Sequence, residues 1–218
     1  MPGKHEVMAS LRDTGVVAVI RTENPKDLVK VSRALAKGGV KFTEITMTVP
    51  GALDIIKDAV YQLKDEDVYI GAGTVLDAET ARAVILAGAQ YVVGPIFNPE
   101  MINLCNSYGV AVMPAGNTAT EIYNAWKCGA DVVKVFPAGV GGPGFFKDLK
   151  GPLPQIEIMP TGMVNLETAP KFIEAGAIAI GVGGALVGKP LIAAGDYDQI
   201  TENARTFIKI VRDAREKK

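Results

Sequence analysis

Residues 110–136 read VAVMPAGNTATEIYNAWKCGADVVKVF, and the fold is decided there. The segment opens on a short apolar run from Val110 to Met113 and turns at Pro114, Ala115 and Gly116. Thr118 then stands three residues ahead of Glu121, the spacing of a reciprocal capping box that starts a helix. Gly129 follows the helical stretch, where a left-handed terminating residue is favoured. A second apolar, β-branched run then occupies 132–136. Strand, cap, helix, glycine and strand in that order make a βα unit.

The unit repeats in both directions. Apolar runs occur at Val16–Ile20, Phe42–Thr46, 68–71, Tyr91–Val93, 110–113, 132–136, 156–159 and 178–182, about 23 residues apart. They are almost continuously hydrophobic, the pattern of a parallel sheet covered on both faces. Helix starts are marked by Asn24 and Pro25, Asp77, Asn98 to Glu100, Thr118 to Glu121, and Asn165. Gly38 and Gly39, Gly88, Gly109, Gly129 and Gly176 precede the next strand. A single-domain α/β fold spanning 1–218, a (βα)8 barrel of the TIM type, is the economical reading; an open doubly wound sheet has the same order, and periodicity does not show closure. A short helix over 6–12 is expected to cover the barrel bottom. A closing helix over 199–215 should turn Ile200, Ala204, Phe207, Ile208 and Val211 to one face.

Composition narrows the function. The chain has 218 residues, 48% hydrophobic and 22% charged, with a formal net charge of -1. That balance argues against a surface that neutralises many nucleic-acid phosphates. No apolar run approaches the roughly 18 residues of a membrane span, and the first residues lack a signal-peptide core. A cytoplasmic protein with no nucleic-acid or membrane partner is expected. Cys105 and Cys128 read as reduced core or near-core thiols. His5 is the only histidine; it lies in an N-terminal segment expected to be mobile, which removes histidine-rich zinc sites and serine–histidine dyads.

Three charges fall where strands should be apolar. Lys134 lies within 132–136, Glu44 within Phe42–Thr46, and Arg21 directly follows Val16–Ile20. Buried charges cost several kcal/mol unless they are paired or used. For Lys134, burial disfavours the ammonium and frees a lone pair for attack on a ketone, with a structural ion pair to Glu44 as the alternative. Glu44 would be the acid/base of a Schiff-base reaction. Arg21 reads either as a clamp on a substrate carboxylate or as a surface residue opening a loop.

Glycines cluster at the same strand ends: Gly71 and Gly73 with Thr74, Gly116 after Pro114, Gly162 after Thr161, and Gly181, Gly183 and Gly184. They permit close approach of ligand to backbone, and loops after the last two strands often hold phosphate. Simple turn geometry would also explain each one. No dinucleotide fingerprint and no phosphate-binding lysine loop of the Walker type is present. Trp126 and Cys128, at a helix end, read as packing residues.

Taken in order, Thr43 to Pro50, Ile70 to Val75, Gly116 to Glu121, Lys134 to Pro137, Pro160 to Gly162 and Gly181 to Gly183 resemble the class I 2-keto-3-deoxy-6-phosphogluconate and 4-hydroxy-2-oxoglutarate aldolases. The resemblance covers nearly the whole chain. It implies a (βα)8 barrel, assembled as a homotrimer, that cleaves a 2-keto-4-hydroxy acid into pyruvate and an aldehyde such as glyceraldehyde 3-phosphate. It implies no metal and no cofactor, and a place in carbohydrate metabolism of the Entner–Doudoroff kind. By resemblance Lys134 is the Schiff-base lysine, Glu44 the acid/base, and Thr74 and Thr161 hydroxyls of the substrate pocket. Gly162, Gly183 and Gly184 fall in the phosphate-binding region. Some members hold the pyruvate carboxylate with an arginine near position 48; this chain has Thr48, and Arg21 resembles the replacement clamp. Met163 stands where a second glycine is usual, Gly184 where a serine often stands, and Ala115 where proline is commoner, so 4-hydroxy-2-oxoglutarate or an unphosphorylated or galactonate-type sugar acid is the alternative substrate. Two readings of other classes stay open: a phosphate-binding isomerase or synthase barrel in which Lys134 acts by charge alone, and a non-catalytic ligand-binding barrel.

Overall fold

A computed structural model describes residues 2–22 and 25–217. The chain runs α1 (Lys4–Thr14), β1 (Val16–Ile20), α2 (Pro25–Lys37), β2 (Phe42–Thr46), α3 (Ala52–Gln62), β3 (Tyr69–Gly73), α4 (Ala78–Leu86) and β4 (Tyr91–Val93). It continues α5 (Pro99–Ser107), β5 (Ala111–Met113), β6 (Ala115–Gly116), α6 (Ala119–Lys127), β7 (Val133–Val135), α7 (Gly142–Lys150) and β8 (Ile158–Pro160). The last elements are α8 (Thr168–Glu174), β9 (Ile180–Val182), α9 (Lys189–Ala194) and α10 (Tyr197–Glu216). Of the expected helix starts, Asn24 lies outside the described residues, and Pro25 opens α2.

Strands β5-β4-β3-β2-β1-β9 form one parallel series and β6-β7-β8 another. β5 and β6 are a single barrel strand interrupted at Pro114, which has no N–H to give to a ladder. The two series join at both ends. Asp131 N donates to Val112 O at 3.0 Å and Lys134 N to Pro114 O at 2.9 Å; on the far side Ile178 N donates to Ile158 O at 3.1 Å. Thr161 also bridges Gly181 in parallel. The sheet therefore closes into an eight-membered ring, and the open-sheet alternative falls.

Alternation along the strands builds two concentric cores. Phe42, Tyr69, Tyr91, Val93, Met113, Val132, Met159 and Ala179 fill the lumen, together with Val7, Met8 and Leu11 of α1. Val16, Ala18, Ile20, Ile45, Ile70 and Ala72 face outward into the layer shared with the helices. Both faces are dry, so the strands carry no polar alternation.

α1 starts earlier than expected and contains His5, which is exposed on its first turn, not on a mobile segment. The anchor is Lys4, whose Nζ reaches Asn106 Oδ1 at 2.6 Å and Asp131 Oδ2 at 3.0 Å. Helix starts form where oxygen-bearing side chains stand: Asp77 Oδ1 accepts from Thr80 N at 2.6 Å and Asn98 Oδ1 from Met101 N at 2.8 Å. The box at α6 is reciprocal, with Glu121 N donating to Thr118 Oγ1 at 3.2 Å and Thr118 N to Glu121 Oε2 at 3.0 Å. Asn165 caps the turn before α8 and not the helix itself, accepting from Glu167 N and Thr168 N. Gly39, Gly88, Gly109, Gly129 and Gly176 have positive φ. Gly38 does not: it lets α10 approach, since a Cβ there would lie 2.5 Å from the Ala204 Cβ.

Candidate active site

Parity carries Glu44, Lys134 and Arg21 toward the C-terminal mouth of the barrel. Phe42 and Val132 are lumenal, so Glu44 and Lys134, two residues on, face inward as well. Glu44 is 1% exposed and Lys134 5%. Arg21 continues the inward series of β1 one step beyond the strand and is exposed at the rim.

Burial lifts the Glu44 carboxyl above its ordinary range; the positive charges of Lys134 and Arg21 oppose that lift without cancelling it. Among the described residues no ion pair links Glu44 to Lys134. The structural salt bridge considered for this pair is therefore not formed, and both groups keep free hydrogen-bonding capacity. The Lys134 ammonium lies 5.0 Å from the ring centroid of Phe136, which is the next inward residue on β7. That cation–π contact places the amine beside the ring.

Two glycines of β3 make room for this arrangement. A Cβ on Gly73 would fall 1.9 Å from Glu44 Oε1, and one on Gly71 would fall 2.3 Å from Tyr91 Cζ. At both positions the absent side chain makes room for one from a neighbouring strand, a reason beyond turn geometry for glycine to stand there. Gly181 is similar, its missing Cβ making way for Thr161 Oγ1. Gly184 has nothing within 4 Å of such a Cβ, and Gly183 only the Val19 carbonyl oxygen at 3.8 Å, so these two do leave space.

That space is a cavity of about 280 Å³ bounded by Arg21, Phe136, Thr161, Gly162, Met163, Gly183, Gly184 and Lys189. Lys134 and Glu44 lie below it. Thr161 Oγ1 is buried, has no hydrogen-bond partner among the described residues and so is available to a ligand. Met163 adopts a left-handed φ of 61°, is 76% exposed and leans over Gly139. Thr74, also left-handed at φ 58°, stands at the end of β3 and does not line this cavity. Among the described residues no group of three or more His, Cys, Asp or Glu is arranged to hold a metal ion.

Lys189, Phe136 and Tyr91 belong to this region and were not singled out from the sequence. Phe136 and Tyr91 look like ordinary strand hydrophobes until inward parity is applied. Lys189 sits in a loop-to-helix junction where lysine is unremarkable, and only the fold brings it beside Gly183. Cys105 and Cys128 are free thiols away from the cavity, and burial pushes Cys105 up to about 12.

Fold and mouth together define a (βα)8 barrel of the enzyme type, with its polar groups at the C-terminal ends of the strands. The family model for the KDPG and KHG aldolases matches residues 7–203, and the chain belongs to that family of carbon–carbon lyases. It is 34% identical over 206 residues to the 2-dehydro-3-deoxy-phosphogluconate aldolase of Treponema pallidum, covering 94% of this chain and 97% of that one. It is 32% identical to the 2-dehydro-3-deoxy-6-phosphogalactonate aldolase of Escherichia coli, covering 91% and 95%. A solved structure of KDPG aldolase from Legionella pneumophila, with pyruvate captured at low pH as a covalent carbinolamine intermediate, superposes with a TM-score of 0.84. Its identity is 25%, with 91% of this chain and 96% of that one covered. Among the described residues no helix is long and apolar enough to cross a membrane.

Proposed function

We propose that the chain is a class I aldolase in which Lys134 forms the Schiff base and Glu44 moves the protons, and that its barrel works as one domain. The observation that carries this is the lumenal placement of a lysine that forms no ion pair among the described residues and of a fully buried carboxyl, beneath an open mouth that holds Arg21 and Lys189.

The reaction follows from the groups present. The Lys134 Nζ lone pair adds to the C2 carbonyl of a 2-keto-4-hydroxy acid, and protonated Glu44 helps the carbinolamine lose water. The resulting iminium is the electron sink. Glu44, now a carboxylate, takes the C4 hydroxyl proton; the C3–C4 bond breaks, its electron pair forming the enamine and the aldehyde departing. Protonation of C3 by Glu44 and hydrolysis by water then release pyruvate and free the lysine. Arg21 holds the carboxylate and Thr161 offers its hydroxyl to the substrate; for Thr74, outside the cavity at the end of β3, a substrate contact rests on the family likeness alone.

The cavity also speaks to substrate class. Among the described residues Arg21 and Lys189 line it and no carboxylate side chain does, which suits a substrate anionic at both ends. 4-Hydroxy-2-oxoglutarate, a dicarboxylate, meets the same charges; the relatives named for phosphorylated sugar acids put first a phosphorylated 2-keto-3-deoxy sugar acid, such as 2-keto-3-deoxy-6-phosphogluconate giving glyceraldehyde 3-phosphate, its phosphate lying by Gly162, Gly183 and Gly184. Met163 leans toward Gly139, which favours that reading over a blocked pocket. The relative acting on the phosphogalactonate makes the C4 epimer the second substrate to try. A homotrimer in the cytoplasm, serving sugar-acid breakdown of the Entner–Doudoroff kind, completes the proposal on the family likeness.

The test is intact mass after pyruvate and borohydride. The parent should gain one reduced pyruvate and Lys134→Ala none. Folded parent without an adduct would overturn the Schiff-base mechanism in favour of a non-covalent barrel. Cleavage assays with phosphorylated acids, their unphosphorylated forms and 4-hydroxy-2-oxoglutarate then rank the substrates.

A further inference from the structure

Glu44 has a neighbour that the mechanism above does not use. In the ladder Glu44 is level with Gly71, and Gly71 is level with Tyr91 on the next strand. All three positions face the lumen, so Glu44 and Tyr91 flank one position that has no side chain. The tyrosine ring fills it, with Cζ and both Cε atoms 2.3–2.5 Å from where a Gly71 Cβ would be. The ring is fully buried and packs on Phe42 at a centroid distance of 5.4 Å, and Phe42 in turn stacks on Tyr69 at 4.8 Å. These aromatics form a rigid floor under the carboxyl. Yet among the described residues the buried Tyr91 Oη has no hydrogen-bond partner. Buried hydroxyls are nearly always engaged, so a persistent exception asks for a use.

The groups around Glu44 are few. Arg21 follows β1, Lys134 projects from β7, Tyr91 comes from β4, and β3 offers only Gly71 and Gly73 above Tyr69. Thr46, the next inward residue of β2, has its hydroxyl 2.9 Å from that of Thr48, whereas the Tyr91 hydroxyl is a neutral donor left without such a partner among the described residues. Resting on the reading of Glu44 as the acid/base, we infer that Tyr91 is its positioning residue: the hydroxyl donates a hydrogen bond, directly or through one water, to the carboxylate whenever Glu44 has surrendered its proton. Tyr91 keeps its own proton throughout, because burial and the nearby Glu44 charge both oppose its ionisation. A donor at this place stabilises the charged half of the Glu44 cycle, which burial alone would disfavour.

The experiment uses pyruvate alone and so does not depend on the sugar acid. Exchange of the pyruvate methyl hydrogens for deuterium, followed by NMR, requires both the Schiff base and the acid/base. Parent and Tyr91→Phe are compared over a range of pH, with borohydride trapping of pyruvate in parallel. Phenylalanine preserves the ring and the floor. The variant should trap pyruvate as the parent does, while the acid limb of its exchange profile moves upward by about one unit, roughly a tenfold loss of rate on that limb. Superposed profiles in two proteins that both trap pyruvate would overturn this inference and leave the Schiff-base mechanism standing. A variant altered only in its urea midpoint would overturn it equally. A parent that traps no pyruvate would overturn both.

Discussion

Glu44 is a residue whose ionisation works against the fold. Burial keeps its proton on in the native state at pH values where the unfolded chain has released it, so folding takes up a proton above the ordinary value of 4.5. Stability from this group is greatest below that value, declines as pH rises toward the elevated native value, and is level beyond it. Glu44→Gln, which cannot ionise, should abolish this decline, equal or exceed the parent in urea midpoint near neutrality, and lose most aldol cleavage. A parent and variant with parallel pH–stability curves would show that ionisation of the carboxyl does not oppose folding. Residues of this kind were legible in the sequence because a charge inside an apolar run violates the pattern. Tyr91 and Phe136 violate nothing, so their approach to Glu44 and Lys134 emerges only from strand register. Gly71 and Gly73 were visible as punctuation, but their purpose belongs to neighbouring strands.

At the level of elements, order and type were set by local chemistry, and ends by tertiary pairing. The caps at Asp77, Asn98 and Thr118 lie where oxygen-bearing side chains precede an amphipathic stretch. Strand ends moved instead: the run expected at 68–71 continues as β3 to Gly73, because β2 offers it a ladder partner as far as Thr46. The run at 156–159 enters the sheet only at Ile158, where β7 begins to pair with it. The α6 box yields a direct expectation. Thr118→Ala removes one side of the reciprocal bonds and should cost about 1 kcal/mol in urea unfolding, with the pyruvate adduct on Lys134 still forming. Loss of the adduct at undiminished stability would mean that α6 positions the site more directly than its capping role requires.

Across the whole molecule, the two cores divide the work. The outer layer binds helices to strands, while the lumen is sealed below by α1 and opens above to the cavity at the mouth. Leu11 is fully buried in that lower seal. Leu11→Ala should cost about 2–5 kcal/mol, read as a lower thermal midpoint, even though the residue is remote from the mouth. A loss below about 1 kcal/mol would show that α1 is dispensable for stability. Closure of the ring was beyond the reach of periodicity, since eight βα units can lie open or curl. Hydrogen bonds joining β5 and β6 to β7, and β8 to β9, decide it.

The missing Cβ at position 73 belongs in effect to residue 44, whose carboxyl oxygen takes up the volume that any other residue type would claim. The two positions are therefore one inheritable unit. A lineage in which the glutamate shortens to aspartate relaxes the demand for glycine, whereas one that first gains alanine at 73 displaces the Glu44 carboxyl. Mutational drift can cross that pair in only one direction, and the order of substitutions would itself be a record of the chemistry performed.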